Sequence, residues 1–167
     1  MTFIRLWRTM PSLVHEQTDM LRAEMAELFE RQGLPVSDET RRECLLFILW
    51  SVHVGLANMH PKFLGSLLSW VHRRKIRAHE RADHPRLMAQ FERRQIEALY
   101  GVWNILAARN GQDWEITMSP RSARLFLEKA SAGTAGMPVA MPVTVLDTVL
   151  GILRRRNSAC LGVVLAA

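Results

Sequence analysis

The run His79-Glu80-Arg81-Ala82-Asp83-His84 sets two imidazoles close to two carboxylates, the raw material of a metal site or an acid–base pair. It approaches the H-E-x-x-H of zinc proteases but is one residue too long. Histidines four apart share a helix face; five apart, they diverge. Glu80 and His84 are four apart, as are His79 and Asp83, so each pair forms a two-ligand clip only if a helix continues past both. Pro85 argues against that, because the residue before a proline is pushed out of helical geometry. The expectation is a solvated helix end, with His79, Glu80, Asp83 and His84 as the residues a metal would have to use and no metal or other cofactor required. His53 and His60, seven apart, share a face of the preceding helix with no thiolate or carboxylate near them in sequence. They are expected to be hydrogen-bonded core groups.

A second group overlaps the first. At 100° per residue, Trp70, Arg74, Arg77 and Arg81 form one stripe on a helix. An aromatic ring in line with guanidinium groups can hold a phosphate backbone, stack on bases or dock an acidic partner helix. The acidic side chains of the chain's own first helix, Glu24, Glu27 and Glu30, compete for the same stripe. Positive charge is concentrated here: His60 to Asn110 carries ten basic and four acidic side chains, whereas Met1 to Glu43 carries six and eight. Of the 22 basic residues 19 are arginine, whose planar fork suits ion pairs and phosphates.

The signatures of common enzymes are missing. There is no G-x-x-x-x-G-K-[ST] phosphate loop, no G-x-G-x-x-G and no G-x-S-x-G nucleophile turn, which points away from an enzyme. Cys44 opens an apolar helix, the setting of an inert thiol. Together with Cys160 it is too little for a disulfide scaffold, so an intracellular, reducing compartment is expected. The cytoplasm is the first choice, and the basic amphipathic start Thr2 to Met10 makes the mitochondrion the other.

Helices must position these residues. Residues 1–11 read as an N-terminal arm, and Ser12 as the cap of a first helix that ends near Gln32, before Gly33 and Pro35. Ser37 caps a second helix, with Asp38 and Glu39 at its positive end. From Cys44 to Met59 that helix carries no charge, yet the run is shorter than the ~20 apolar residues a membrane span needs. It reads as a central helix covered on all sides. Pro61 opens a third helix to Arg81, with Leu64, Leu67, Leu68 and Val71 inward. A fourth is expected from Pro85 to Arg109, from the periodicity of Met88, Phe91, Ala98, Val102 and Leu106, with Asn110-Gly111 ending it. Asp113 to Met118 is short and open to an extended conformation. Ser119-Pro120 opens a fifth helix to Ala130, with Ala123, Phe126, Leu127 and Ala130 inward. Residues 131–143 form a linker rich in small residues, and Thr144 with Asp147 is a weak capping box for a sixth helix ending at Arg154-Arg155-Arg156, where basic charge suits the dipole.

The fold class expected is all-α: a single-domain helical bundle of five to six helices, with its core in residues 12–130, a flexible linker at 131–143, and a C-terminal helix and apolar tail, 144–167, appended. The function expected is that of a non-enzymatic interaction subunit in a larger assembly, not an integral membrane protein. Five tryptophans against one tyrosine, the tail LGVVLAA and the N-terminal arm would serve contacts with other subunits. The alternative is a small nucleic-acid-binding protein using Trp70, Arg74, Arg77 and Arg81.

Overall fold

The charge-free stretch after Cys44 lies at the centre of the molecule. A computed structural model describes residues 3–57, 62–82, 86–96, 105–107, 114–116, 118, 120–132 and 142–165. Among them the chain forms α1 (Phe3–Arg31), α2 (Asp38–Ala57), α3 (Lys62–Ala82), α4 (Leu87–Ile96), β1 (Ile105–Ala107), β2 (Trp114–Ile116), α5 (Pro120–Ala130) and α6 (Val143–Leu165). The expected all-α bundle is what forms. Every residue of α2 from Thr40 to Leu56 is buried except Arg41, Arg42 and His53, because α1, α3, α4, α5 and α6 all pack against it. Burial of each Leu, Ile, Val or Phe side chain contributes about 1.5–3 kcal/mol, so α2 is the main source of hydrophobic stabilisation.

Several element ends follow their expected chemistry. Gly33, at φ 66°, takes the left-handed conformation that closes α1. Its N–H donates to the Glu30 carbonyl (3.0 Å) and the Leu34 N–H to the Phe29 carbonyl (2.8 Å), satisfying two carbonyls of the last turn. The Ser37 hydroxyl accepts from the Thr40 N–H and the Thr40 hydroxyl from the Ser37 N–H, both at 3.2 Å, a reciprocal cap at the start of α2. The Thr40 hydroxyl also donates to the Ala130 carbonyl (2.7 Å), which ties the beginning of α2 to the end of α5. Ala123, Phe126, Leu127 and Ala130 face the core as their spacing predicts.

Other boundaries differ. No helix starts at Ser12: α1 begins at Phe3 and runs through Pro11, absorbing the expected arm. Proline there loses one backbone bond, but the Ser12 hydroxyl donates to the Thr9 carbonyl (2.8 Å) and α1 keeps Met10, Leu13 and Val14 in the core. The fourth helix is described over Leu87–Ile96, and Leu106 lies on a strand: Ile105, Leu106 and Ala107 pair antiparallel with Ile116, Glu115 and Trp114. A run rich in β-branched and aromatic residues around Asn110-Gly111, the dipeptide favoured in hairpin turns, carried a strand signal as well as a helical one. Ala98 and Val102 lie outside the described residues.

The sixth helix does not end at its three arginines. It continues to Leu165, with Thr144 inside the first turn, where its carbonyl accepts from the Thr148 hydroxyl (2.8 Å), and part of the tail expected to meet other subunits packs internally. Cys160, Leu161 and Val164 are buried in this chain's own core. Arg156 instead grips α1: its Nε and Nη2 donate to the two carboxylate oxygens of Glu24 (2.9 and 3.0 Å), and Arg155 adds a third bond (3.1 Å). Arg154 donates to the Met118 carbonyl (2.7 Å). The arginines therefore sit mid-helix because they cross-link α6 to its neighbours.

Where α2 and α6 meet, the backbones come close at Gly55. A Cβ there would lie 2.9 Å from Val164 Cγ1 and 3.3 Å from Leu161 Cδ2. Gly55→Ala is expected to destabilise by about 1–3 kcal/mol despite the better helix propensity of alanine, with partial recovery in Gly55→Ala/Val164→Ala, as read by urea unfolding. Glu24 behaves differently. The Arg156 hydrogen bonds hold its carboxyl below the usual range, against the opposing effect of burial. Its stabilisation is present above the ordinary carboxylate pKa and is lost as pH falls through the lowered one. Glu24→Gln is expected to cost about 1–3 kcal/mol at pH 7, with the gap to the parent protein narrowing in urea titrations toward pH 3.

Candidate interaction surface on the third helix

One face of α3 packs on the bundle, and the opposite face carries exposed side chains. Leu68, Val71, His72 and Ile76 are buried. Leu67, expected inward, is 47% exposed, with Trp70 at 50% and Phe63 at 74%. Arg74, Arg77 and Arg81 are exposed as well. The positions 63, 67, 70, 74, 77 and 81 alternate in steps of four and three, which confines them to roughly 80° of arc at 100° per residue. They form one straight seam about 27 Å long, apolar in its first half and cationic in its second.

The geometry brings Trp70 and Arg74 together: the guanidinium carbon stands 4.1 Å from the ring centroid, in cation–π contact. Among the described residues no carboxylate lies within ion-pair distance of Arg74, Arg77 or Arg81. The first helix does not neutralise them, since Glu24 is taken by Arg155 and Arg156, and Glu27 pairs with Arg31 on its own helix. Phe63 and Leu67 are the residues sequence reasoning left out of the stripe. The signal was there in the spacing, but an apolar residue on an amphipathic helix is ordinarily assigned to the core.

His79 is exposed and Glu80 half-buried on the last turns of α3, while Asp83, His84 and His60 lie outside the described residues. No group of three or more His, Cys, Asp or Glu side chains that could hold a metal occurs among the described residues. Cys44 and Cys160 are free and buried, and burial pushes each thiol up to about 12, far from a reactive thiolate. No helix of the described residues is long and apolar enough to cross a membrane.

Behind the seam, α2, α3 and α4 enclose a ring cluster. His53 and His72 stack with centroids 6.3 Å apart, and Phe91 meets both edge-on. His72 Nε2–H donates to the Leu49 carbonyl (3.1 Å), whereas His53 Nδ1 is buried without a partner among the described residues. Burial pushes both imidazoles down to about 4, and for His53 the nearby Arg73 adds to it. Both are therefore neutral at physiological pH.

Compared with known proteins, the chain matches no family model, no curated protein and no solved structure.

The buried imidazoles set an acid sensitivity. Between the ordinary histidine pKa near 6.5 and the folded value of about 4, the unfolded chain binds protons that the folded chain excludes, so stability falls as pH is lowered through that window. His53→Leu is expected to remove part of this slope, so that the variant loses about 1 kcal/mol less than the parent between pH 7 and pH 5. Urea midpoints at the two pH values measure it, in a range where Glu24 stays ionised.

Proposed function

We propose that this protein is a non-enzymatic interaction module whose α3 seam docks an amphipathic helix of a partner protein. The observation that carries the reading is the unbroken outward line Phe63, Leu67, Trp70, Arg74, Arg77 and Arg81, apolar and then cationic and exposed throughout, with no carboxylate among the described residues paired to its arginines. A helix laid along it would set apolar side chains against Phe63, Leu67 and Trp70, and carboxylates against the three arginines. Alternating steps of four and three are the spacing by which two helices interlock over several turns. Exposed large apolar side chains in line are otherwise a liability in water.

The apolar half weighs against nucleic acid as the occupant. Phe63 and Leu67 offer nothing to a phosphate backbone, and Arg74 already covers a face of Trp70 on which a base would stack. Leu161 and Val164 of the tail pack in this chain's own core, so the seam carries the proposal.

The test is affinity capture from native lysate with and without nuclease, using the parent chain, Leu67→Glu and Arg74→Glu/Arg77→Glu. The expected result is a protein partner that survives nuclease and is lost from both variants, because each half of the seam is needed. Recovery that vanishes with nuclease and persists in Leu67→Glu overturns the proposal in favour of nucleic acid. Capture that is unchanged by either variant overturns it outright.

A further inference from the structure

A helix carries a partial positive charge at its N-terminus and a partial negative charge at its C-terminus. On α3 the three seam arginines stand in the second half, with Arg81 in the last turn, where that dipole favours cations. Phe63 and Leu67 stand in the first half, and Trp70, one face covered by Arg74, marks the junction. The seam therefore has a direction. Each way of laying a second helix along it demands its own order of apolar and acidic residues.

A second copy of this chain does not meet that demand. Laid parallel and in register, two seams set Arg74, Arg77 and Arg81 of one copy against the same arginines of the other. Laid antiparallel, they gather three arginines from each copy into one interface with no carboxylate on either seam, which leaves aromatic faces as their acceptors. The occupant is thus a different chain that brings carboxylates. Those carboxylates are stabilised in the first turn of their own helix and opposed in its last. In a parallel pair they reach the arginines from the partner's C-terminal half, where its dipole works against them. In an antiparallel pair they come from its N-terminal half, where dipole and arginines act together. For the two carboxylates nearest the partner's N-terminus the difference amounts to about tenfold in affinity. The same order operates inside this chain, where Asp38 and Glu39 open α2 ahead of its apolar run.

Given that a helix docks on this seam, as proposed above, we propose that it runs antiparallel to α3, with an acidic N-terminal half against Arg81, Arg77 and Arg74 and an apolar C-terminal half against Trp70, Leu67 and Phe63. To follow the seam from end to end the partner needs a helix of about 20 residues, with carboxylates and then apolar side chains at steps of four and three. A helix of the same composition in the reverse order is discriminated against.

Two synthetic helical peptides of identical composition, titrated against the full chain by fluorescence anisotropy, test this. Both are acetylated and amidated to remove the terminal charges, and both carry the same outward-facing staple so that their helicity is equal. Each sets three glutamates and three leucines at steps of four and three, one with the glutamates first and the other with them last. The acidic-first peptide is expected to bind about tenfold more tightly, and Arg77→Glu/Arg81→Glu to abolish that preference. Disulfide trapping reads the orientation directly, because both native cysteines are buried. A cysteine at the N-terminus of the acidic-first peptide should be trapped by Ala78→Cys and not by Ser66→Cys, exposed positions beside the two halves of the seam. Equal binding of the two peptides, tighter binding of the acidic-last one, or trapping by Ser66→Cys overturns the orientation and leaves the docking site standing. Binding of neither peptide overturns the docking site as well. A dimer of the chain in sedimentation that Leu67→Glu dissociates makes a second copy the occupant and likewise overturns both.

Discussion

An uncharged helix of this length has nowhere to face water. From Cys44 to Leu56, α2 presents almost only apolar side chains around its whole circumference, and that constraint organises everything else. Five helices surround it, each contributing the apolar stripe that its own amphipathic pattern provides. Because α2 absorbs those stripes, the outer faces of its neighbours are released for other purposes. The seam on α3 is the clearest case: Leu68, Val71, His72 and Ile76 are spent on the core, while Phe63, Leu67 and Trp70 are left exposed.

Polar contacts then fix how the surrounding helices sit. The Ser37–Thr40 cap and its bond to the Ala130 carbonyl link α2 to α5 at one end. Arg22 reaches from α1 to the Arg41 carbonyl on α2, and Glu24 receives Arg155 and Arg156 from α6. Apolar contact is nondirectional, so these bonds supply the register that burial alone leaves loose. They also explain why the acidic first helix leaves the α3 arginines alone: its best-placed carboxylate is committed to a bidentate partner 132 residues along the chain.

What was legible in the sequence was local chemistry. A glycine that permits positive φ, a serine cap with acidic followers and the tight pattern of α5 all act through neighbours in the chain, and Gly33, Ser37 and Phe126 landed where their types and spacing put them. The misreadings share a tertiary origin. Pro11 looked like a boundary, but packing of Met10, Leu13 and Val14 outweighs one lost backbone bond. The tail looked like a surface because the glycine that receives it, Gly55, lies more than a hundred residues earlier. For the candidate site, the arginines were visible from spacing alone. Its apolar half was not, since only the structure shows that the bundle's core is complete without Phe63 and Leu67.

The seating of α6 against Gly55 has a temporal side. Of the described helices α6 is the last to be made, yet it covers the one that every other helix relies on. During synthesis α1 to α5 emerge with the Gly55 groove of α2 bare, and a nascent chain with uncovered apolar surface is the form that chaperones recognise and that aggregates. Completion of the bundle must therefore wait for α6 to leave the ribosome.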